Sequence, residues 1–176
     1  NHPCMIALLL ALQFSQSTSR LASAQLEKIS RDLQNRYGPI GCPEPLNQHL
    51  RVQSLSLNLK QKLQIVQTTG TCLAGPQNGP ILVYIASRQQ WNLVLEAWGQ
   101  SIRHKSNPAA LQPDLLVQGH LSATESTQIH YRFVEGKYRA IACQQLYYRD
   151  DKTNEITSRP KSSACPLDWA SNLEHN

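Results

Sequence analysis

The residues with most chemistry to offer lie close together in the second half of the chain: His120, Ser122 and Glu125, then His130 and Arg132. In an extended strand His120 and Ser122 project to one face, and Glu125 follows at the turn beyond. A serine, a histidine and a carboxylate can together perform nucleophilic catalysis. That requires Ser Oγ on the imidazole, a third group orienting the ring, and an oxyanion hole. Neighbouring positions of one strand do not supply that geometry by themselves. The simpler expectation is a polar strand end whose Ser122, Thr124 and Glu125 bond the turn backbone. The five residues His120, Ser122, Glu125, His130 and Arg132 are therefore read as a candidate binding surface, with no catalytic residue assigned.

Metal and cofactor chemistry find little support in the spacing. His104, His120 and His130 would form a metal triad only if the fold converged them, since neither H-E-x-x-H nor H-x-H occurs. Asp114, Asp150 and Asp151 lack the alternating acidic pattern of a calcium loop. There is no C-x-x-C pair, phosphate-cradling glycine loop, G-x-S-x-G elbow or haem attachment motif. No metal and no cofactor is expected.

The five cysteines divide unequally. Cys4 falls in an N-terminal apolar segment, which leaves Cys42, Cys72, Cys143 and Cys165. Four cysteines permit three pairings, and locality favours Cys42–Cys72 with Cys143–Cys165. Loops of that size are each worth about 3 kcal/mol by the chain-entropy argument. Cys42 would be a thiol nucleophile only if left unpaired.

Residues 5–12 read Met-Ile-Ala-Leu-Leu-Leu-Ala-Leu, and Ala22-Ser23-Ala24 follows a polar stretch. The run is too short to cross about 30 Å of hydrocarbon as a helix. It has the form of a secretory signal with an A-x-A cleavage site, and predicts a mature start at Gln25. A retained N-terminal anchor is the alternative for residues 1–24. Paired cysteines agree with an oxidising compartment, so the chain is expected to be secreted or periplasmic.

Composition bounds the rest. The chain has 176 residues, 40% of them hydrophobic and 16% charged, enough for one domain with a real core and too apolar for a disordered polyelectrolyte. The net charge of +5 comes from basic residues that never occur three in a row. With few aromatics to stack bases, that scatter argues against nucleic acid, while weak attraction to anionic lipid or wall polymer stays open.

These residues need elements to hold them. Leu26, Ile29, Leu33 and Tyr37 recur at helical spacing, predicting an amphipathic helix over 25–37 with Ser23 as its cap and Gly38-Pro39 as its stop. The period then changes to two. Leu50 and Val52, then Leu55 and Leu57, alternate with polar neighbours, and the parity slip between Val52 and Leu55 suggests a bulge. Residues 81–86 form a continuous apolar run, the signature of a central strand. Trp91, Leu93 and Leu95 suit a return strand, although Trp91, Leu95 and Trp98 also fit a helix through 89–98. Residues 103–113 read as a polar linker. Strands over 114–122, 127–134 and 137–148 follow, with Glu135-Gly136 as a tight hairpin turn. On the hairpin, Ile129, Tyr131 and Phe133 share a face, opposed by Tyr138, Ala140 and Ala142. The expected architecture is α+β: an N-terminal amphipathic helix and an antiparallel sheet of about six or seven strands, stapled by disulfides. The domain would span 25–149, and 150–176 would be a tail held by Cys165.

The block Asp114-Leu115, His120, Ser122-Ala123 and Glu125, with Tyr131-Arg132-Phe133, Gly136, Tyr138-Arg139 and Cys143, resembles a group of uncharacterised secreted bacterial proteins. Tyr37-Gly38 and Cys42 resemble a second segment of that group. The likeness covers roughly residues 37–147 and implies export and a small β-rich domain, but no activity. The function expected from all this is an exported, non-enzymatic binding or interaction module of the cell envelope. An accessory subunit docked on the periplasmic side of an envelope membrane complex, and a hydrolase using His120 and Glu125, are the alternatives. A protein or cell-wall partner is expected in the first case and a membrane protein complex in the second.

Titration of the folded mature chain with a thiol reagent should find no free thiol. A reactive cysteine among Cys42, Cys72, Cys143 and Cys165 would sink the two-disulfide reading.

Overall fold

The computed structural model describes residues 21–70, 72–73, 77–88, 90–150 and 153–167. The signal segment with Cys4, Asp151 and the end of the expected tail lie outside the described residues, apart from residues 21–24. One helix, α1 (Ser23–Tyr37), precedes nine strands: β1 (Leu50–Ser56), β2 (Lys62–Thr68), β3 (Gly79–Ala86), β4 (Trp91–Gly99), β5 (Ser101–Lys105), β6 (Asp114–Ser122), β7 (Glu125–Val134), β8 (Lys137–Arg149) and β9 (Ile156–Ala164). All neighbours pair antiparallel, as two meanders: β1-β2-β3-β4 and β5-β6-β7-β8-β9. The described residues are thus mostly antiparallel sheet with one α-helix, and they hold more strands than the six or seven expected.

The two extra strands lie in segments expected to be irregular. Residues 103–105 read as the start of a polar linker and 156–164 as a tail, because both strands lack alternating apolar residues. They are edge strands. Their ladders with β6 and β8 satisfy backbone groups while most of their side chains meet water. Helix α1 also starts earlier than expected. Ala22 is the N-cap residue, and its backbone N–H donates to Gln25 Oε1 at 3.0 Å, so Ser23 is the first helical residue and not the cap. Gly38, at φ 81°, ends the helix by donating its N–H to the Gln34 carbonyl.

The four-stranded sheet is apolar on both faces. Leu63, Ile65, Ile81, Val83, Leu95 and Ala97 face the second sheet and pack against Leu115, Val117, Ile129, Tyr131, Tyr138 and Cys143. Val52, Val66, Leu82 and Tyr84 face the other way and receive Ile29 and Leu33 of α1. This explains the parity slip in β1. Its register against β2 runs unbroken from Leu50↔Thr68 to Ser56↔Lys62, with no bulge. Val52 is buried under the helix and Leu55 packs on the other face against the inter-sheet core, so both parities are apolar without any irregularity. The helix alternative for 89–98 is ruled out by β4, in which Trp91 packs at 5.0 Å from the Tyr84 ring. Tyr84 also fixes α1 by donating its hydroxyl to Asp32 Oδ2 at 2.8 Å. Burial, then the Asp32 carboxylate, push the Tyr84 hydroxyl far above the ordinary tyrosine range.

The disulfides are Cys42–Cys72, with Cα atoms 5.2 Å apart, and Cys143–Cys165 at 5.0 Å. The first ties the loop after α1 to the end of the β1–β2 hairpin; the second ties β8 to the end of β9. The β7–β8 tip turns through Glu135 (φ 50°) and Gly136 (φ 85°), two successive positive φ values that match the twist of the flanking strands. A register shift between His130 and Tyr131 makes Ile141 a bulge, so Ala142 opposes His130 and not the apolar face where it was expected. Cys143 takes the inward place opposite Ile129. Phe133 is half-buried, edge-on to Tyr138 at 5.2 Å, and packs against the inter-sheet core.

Between β4 and β5 stands a single residue, Gln100, whose N–H donates to the Gln118 carbonyl at 2.8 Å. The chain passes from sheet to sheet here with almost no slack. A Cβ on Gly99 would lie 2.7 Å from Val117 Cγ1 and 2.8 Å from the Gln118 carbonyl oxygen. Gly99→Ala should therefore lower stability by about 1–3 kcal/mol. Gly41→Ala, where nothing lies within 4 Å, should leave the melting temperature nearly unchanged. Equal melts for the two variants would refute the close approach.

Candidate functional site

The structure separates the five candidate residues into two groups. His120, Ser122 and Glu125 belong to the β6–β7 hairpin end. His120 pairs with Ser126 and Ser122 with Glu125, across a shift that makes Leu121 a bulge. Glu125 is one residue from Ser126, so alternation sends it to the opposite face from His120. Its carboxylate accepts from Gln145 Nε2 at 3.5 Å, and Ser122 Oγ accepts from the Thr124 backbone N–H at 3.3 Å. His120 Nε2 is buried without a hydrogen-bond partner, so neither Ser122 nor Glu125 engages it. What holds His120 is its backbone. The Asn78 side chain accepts from its N–H and donates to its carbonyl, both at 2.7 Å, at a point where β5 no longer runs beside β6.

His130 and Arg132 converge with a residue that the sequence reading did not single out for binding. Asp114 is 4% exposed, yet it stands on the outer face of the five-stranded sheet. His130 Nε2 lies 2.8 Å from its Oδ2, Arg132 donates through Nε and Nη2 at 2.9–3.3 Å, and Asn107 Nδ2 donates to Oδ1 at 3.0 Å. Alternation predicts this meeting, because 114, 130 and 132 all lie on the polar parity of adjacent strands. Asn107 carried no such signal, since it reaches Asp114 from the loop before Pro113. The Arg132 guanidinium, more than the burial that opposes it, holds the Asp114 carboxyl down to about 2, aided by Asn107 and His130. In turn Asp114 raises Arg132 further above its usual range. Tyr138, buried on the inner side, donates its hydroxyl to the Pro113 carbonyl at 2.9 Å. Burial and then the Asp114 charge push that hydroxyl well above the ordinary tyrosine range.

Around this neutralised carboxylate the register assembles cations. Lys105 pairs with Asp114 and Arg132 with Arg139, and the Arg132–Asp114 side-chain bond joins the two pairs into one row; the next row reads Arg103, Leu116, His130, Ala142. Arg103, Lys105, Arg132 and Arg139 are all exposed. Rows of uncharged hydrogen-bonding side chains follow. Gln118 opposes Gln128, which opposes Gln144, and Gln118 Nε2 donates to Ser126 Oγ and the Tyr148 hydroxyl, each at 3.3 Å. Beside the cationic rows, between β4 and β8, lies a cleft of about 400 Å³ whose walls include Leu95, Glu96, Tyr131, Lys137, Tyr138 and Arg139.

His104 does not join His120 and His130 in a metal-ligating cluster. Among the described residues, the cluster of metal-capable groups is Cys42, His49 and Cys72. No helix among the described residues is long and apolar enough to cross a membrane.

The depressed Asp114 carboxyl makes a pH prediction. Its folded-state pKa lies below that of a free aspartate, so its contribution is complete above about pH 4 and is lost as pH falls through about 2. Asp114→Asn should cost about 1–3 kcal/mol at neutral pH, since it removes the charge that Arg132 and His130 meet. Over the same acid window its stability should fall less steeply than that of the parent chain. Parallel acid-denaturation curves would count against this assignment. No family model matches the chain, and neither a curated protein nor a solved structure matches it.

Proposed function

We propose that the chain is an exported, non-enzymatic binding module of the cell envelope that holds an anionic partner on the outer face of its five-stranded sheet. The observation that carries this reading is the pair of cationic rows around Asp114. Three exposed cations, Arg103, Lys105 and Arg139, stand around a carboxylate whose charge is already met by a fourth, Arg132. The scatter of basic residues along the chain conceals this concentration, which exists only in the register. The four-stranded sheet has α1 on its outer face, so the five-stranded sheet is the one whose polar face is left for a partner.

The chemistry suits carboxylate or phosphate groups repeated along a polymer or displayed on an acidic protein surface. Arginine forks donate to such groups in two-point contacts, and the glutamine rows beside them supply neutral donors and acceptors for hydroxyls or amides. The Cys143–Cys165 disulfide ties β8 to the end of β9 within this sheet, and paired cysteines accord with an oxidising compartment.

Retention on an immobilised acidic polysaccharide at rising salt tests this. Each cation at an anionic surface is worth about 1 kcal/mol, so Arg103→Gln, Lys105→Gln and Arg139→Gln together should weaken binding roughly a hundredfold at low salt. The same number of charges removed from the other sheet region, at Arg51, Lys60 and Lys62, should have a much smaller effect. If both triple variants lose retention equally, net charge is responsible and this face is not the site.

A further inference from the structure

The Cys42–Cys72 staple has a third member. His49 ends the 3-10 turn Leu46–His49 and stands directly before β1. Its carbonyl accepts the Thr69 N–H at 2.8 Å, closing the β1–β2 hairpin one step beyond the Leu50↔Thr68 pair. That closure brings the imidazole against the residues leading to Cys72. Gly70, at φ 79°, leaves room for it: a Cβ there would stand 3.4 Å from His49 Nδ1. As a result one donor atom from each of Cys42, His49 and Cys72 lies within 4.8 Å of the other two. His49 Nε2 is 3.1 Å from Glu44 Oε2, and the imidazole is only 16% exposed.

We propose that Cys42, Cys72 and His49 form a divalent-metal site, of zinc type, that is open when the disulfide is reduced and closed when it is formed. Two thiolates and an imidazole are the donor set that soft and borderline ions prefer over calcium or magnesium. A tetrahedral zinc with sulfur at about 2.3 Å and nitrogen at about 2.0 Å needs its donors about 3.5–3.8 Å apart; once the disulfide is reduced the two sulfurs must separate to that distance, while the imidazole already stands within 4.8 Å of both. Glu44 has two uses here. It either orients the ring through the nitrogen that does not bind metal, or supplies the fourth ligand itself. Its side chain is 54% exposed, so it can move between them.

The two states exclude each other chemically. A dithiol reductant gives two electrons and two protons to the Cys42–Cys72 bond and leaves as its own disulfide, generating two thiols on the chain. Zinc then displaces two protons as both sulfurs bind it as thiolates. Reoxidation by thiol–disulfide exchange reverses the electron flow, re-forms the bond and releases the ion. Both states tie the loop after α1 to the end of the β1–β2 hairpin, so the staple survives the change of redox condition.

The test uses the full chain with Cys4, Cys143 and Cys165 replaced by serine, reduced with a phosphine and titrated with cobalt(II). The expected result is one ion per chain, a thiolate-to-cobalt charge-transfer band, and displacement by zinc. His49→Ala should weaken cobalt binding at least tenfold, and the oxidised chain should show no band. The intact reduced chain provides a second measurement that does not rely on the serine variant folding. Zinc should protect Cys42 and Cys72 from alkylation while Cys143 and Cys165 react. Absence of the band together with unprotected Cys42 and Cys72 overturns the proposal. So does undiminished binding in His49→Ala, or equal binding with the disulfide closed.

Discussion

At Gly99 the chain has to leave one sheet and enter the other in the space of a single residue. A side chain there would strike both Val117 and the backbone of Gln118. That close approach sets how the rest is arranged. With β4 and β5 nearly continuous, the inner faces of the two sheets are brought together over the cluster from Leu63 to Cys143, and their outer faces must look in opposite directions. The four-stranded sheet then needs a second cover, which α1 provides through Ile29, Leu33 and the Asp32–Tyr84 hydrogen bond. The five-stranded sheet needs none, because glutamine, serine, histidine and arginine dominate its outward parity, with Leu116 and Ala142 set among them. A functional surface therefore has a reason to be on one sheet and not on the other.

Asp114 is what makes that outer face an organised surface and not a field of independent charges. A carboxylate with so little exposure would be costly alone. Here it takes donors from His130, Arg132 and Asn107, which come from the neighbouring strand and from the loop before β6. The cluster anchors the 106–113 loop over the end of the sheet, and the Tyr138 hydroxyl fastens the same loop from the core side through the Pro113 carbonyl. Fixing the loop also fixes the spacing of Lys105 and Arg132, which flank Asp114 on either side.

Much of this was legible in the residues. Helical spacing from Leu26 to Tyr37, the apolar run 81–86, the Glu135-Gly136 turn and both cysteine pairs all appear as expected, since each depends on local spacing. The count of strands was harder to read. Ser101–Lys105 and Ile156–Ala164 are held by ladder hydrogen bonds at sheet edges and leave almost no hydrophobic pattern. Val52 and Leu55 misled because alternation implies a bulge only when a strand has one dry face, and β1 has two. At the site, His130 and Arg132 were visible as polar-face residues, whereas their common partner, 16 and 18 positions earlier, required the register. The approach of His49 to Cys42 and Cys72 is likewise a product of hairpin closure, and no short motif announces it.

Asn78 performs a task that sequence patterns seldom reveal. Strand β6 outlasts its neighbour β5, so the N–H and carbonyl of His120 would otherwise point outward from an unfinished edge. Such bare ladder groups are templates on which another chain can add a strand, the first step of domain swapping or fibril growth. One side-chain amide, donating and accepting at once, occupies both groups. It ends the sheet without ending the strand. The hairpin can thus extend beyond its partner and remain inert to copies of itself, even at high protein concentration.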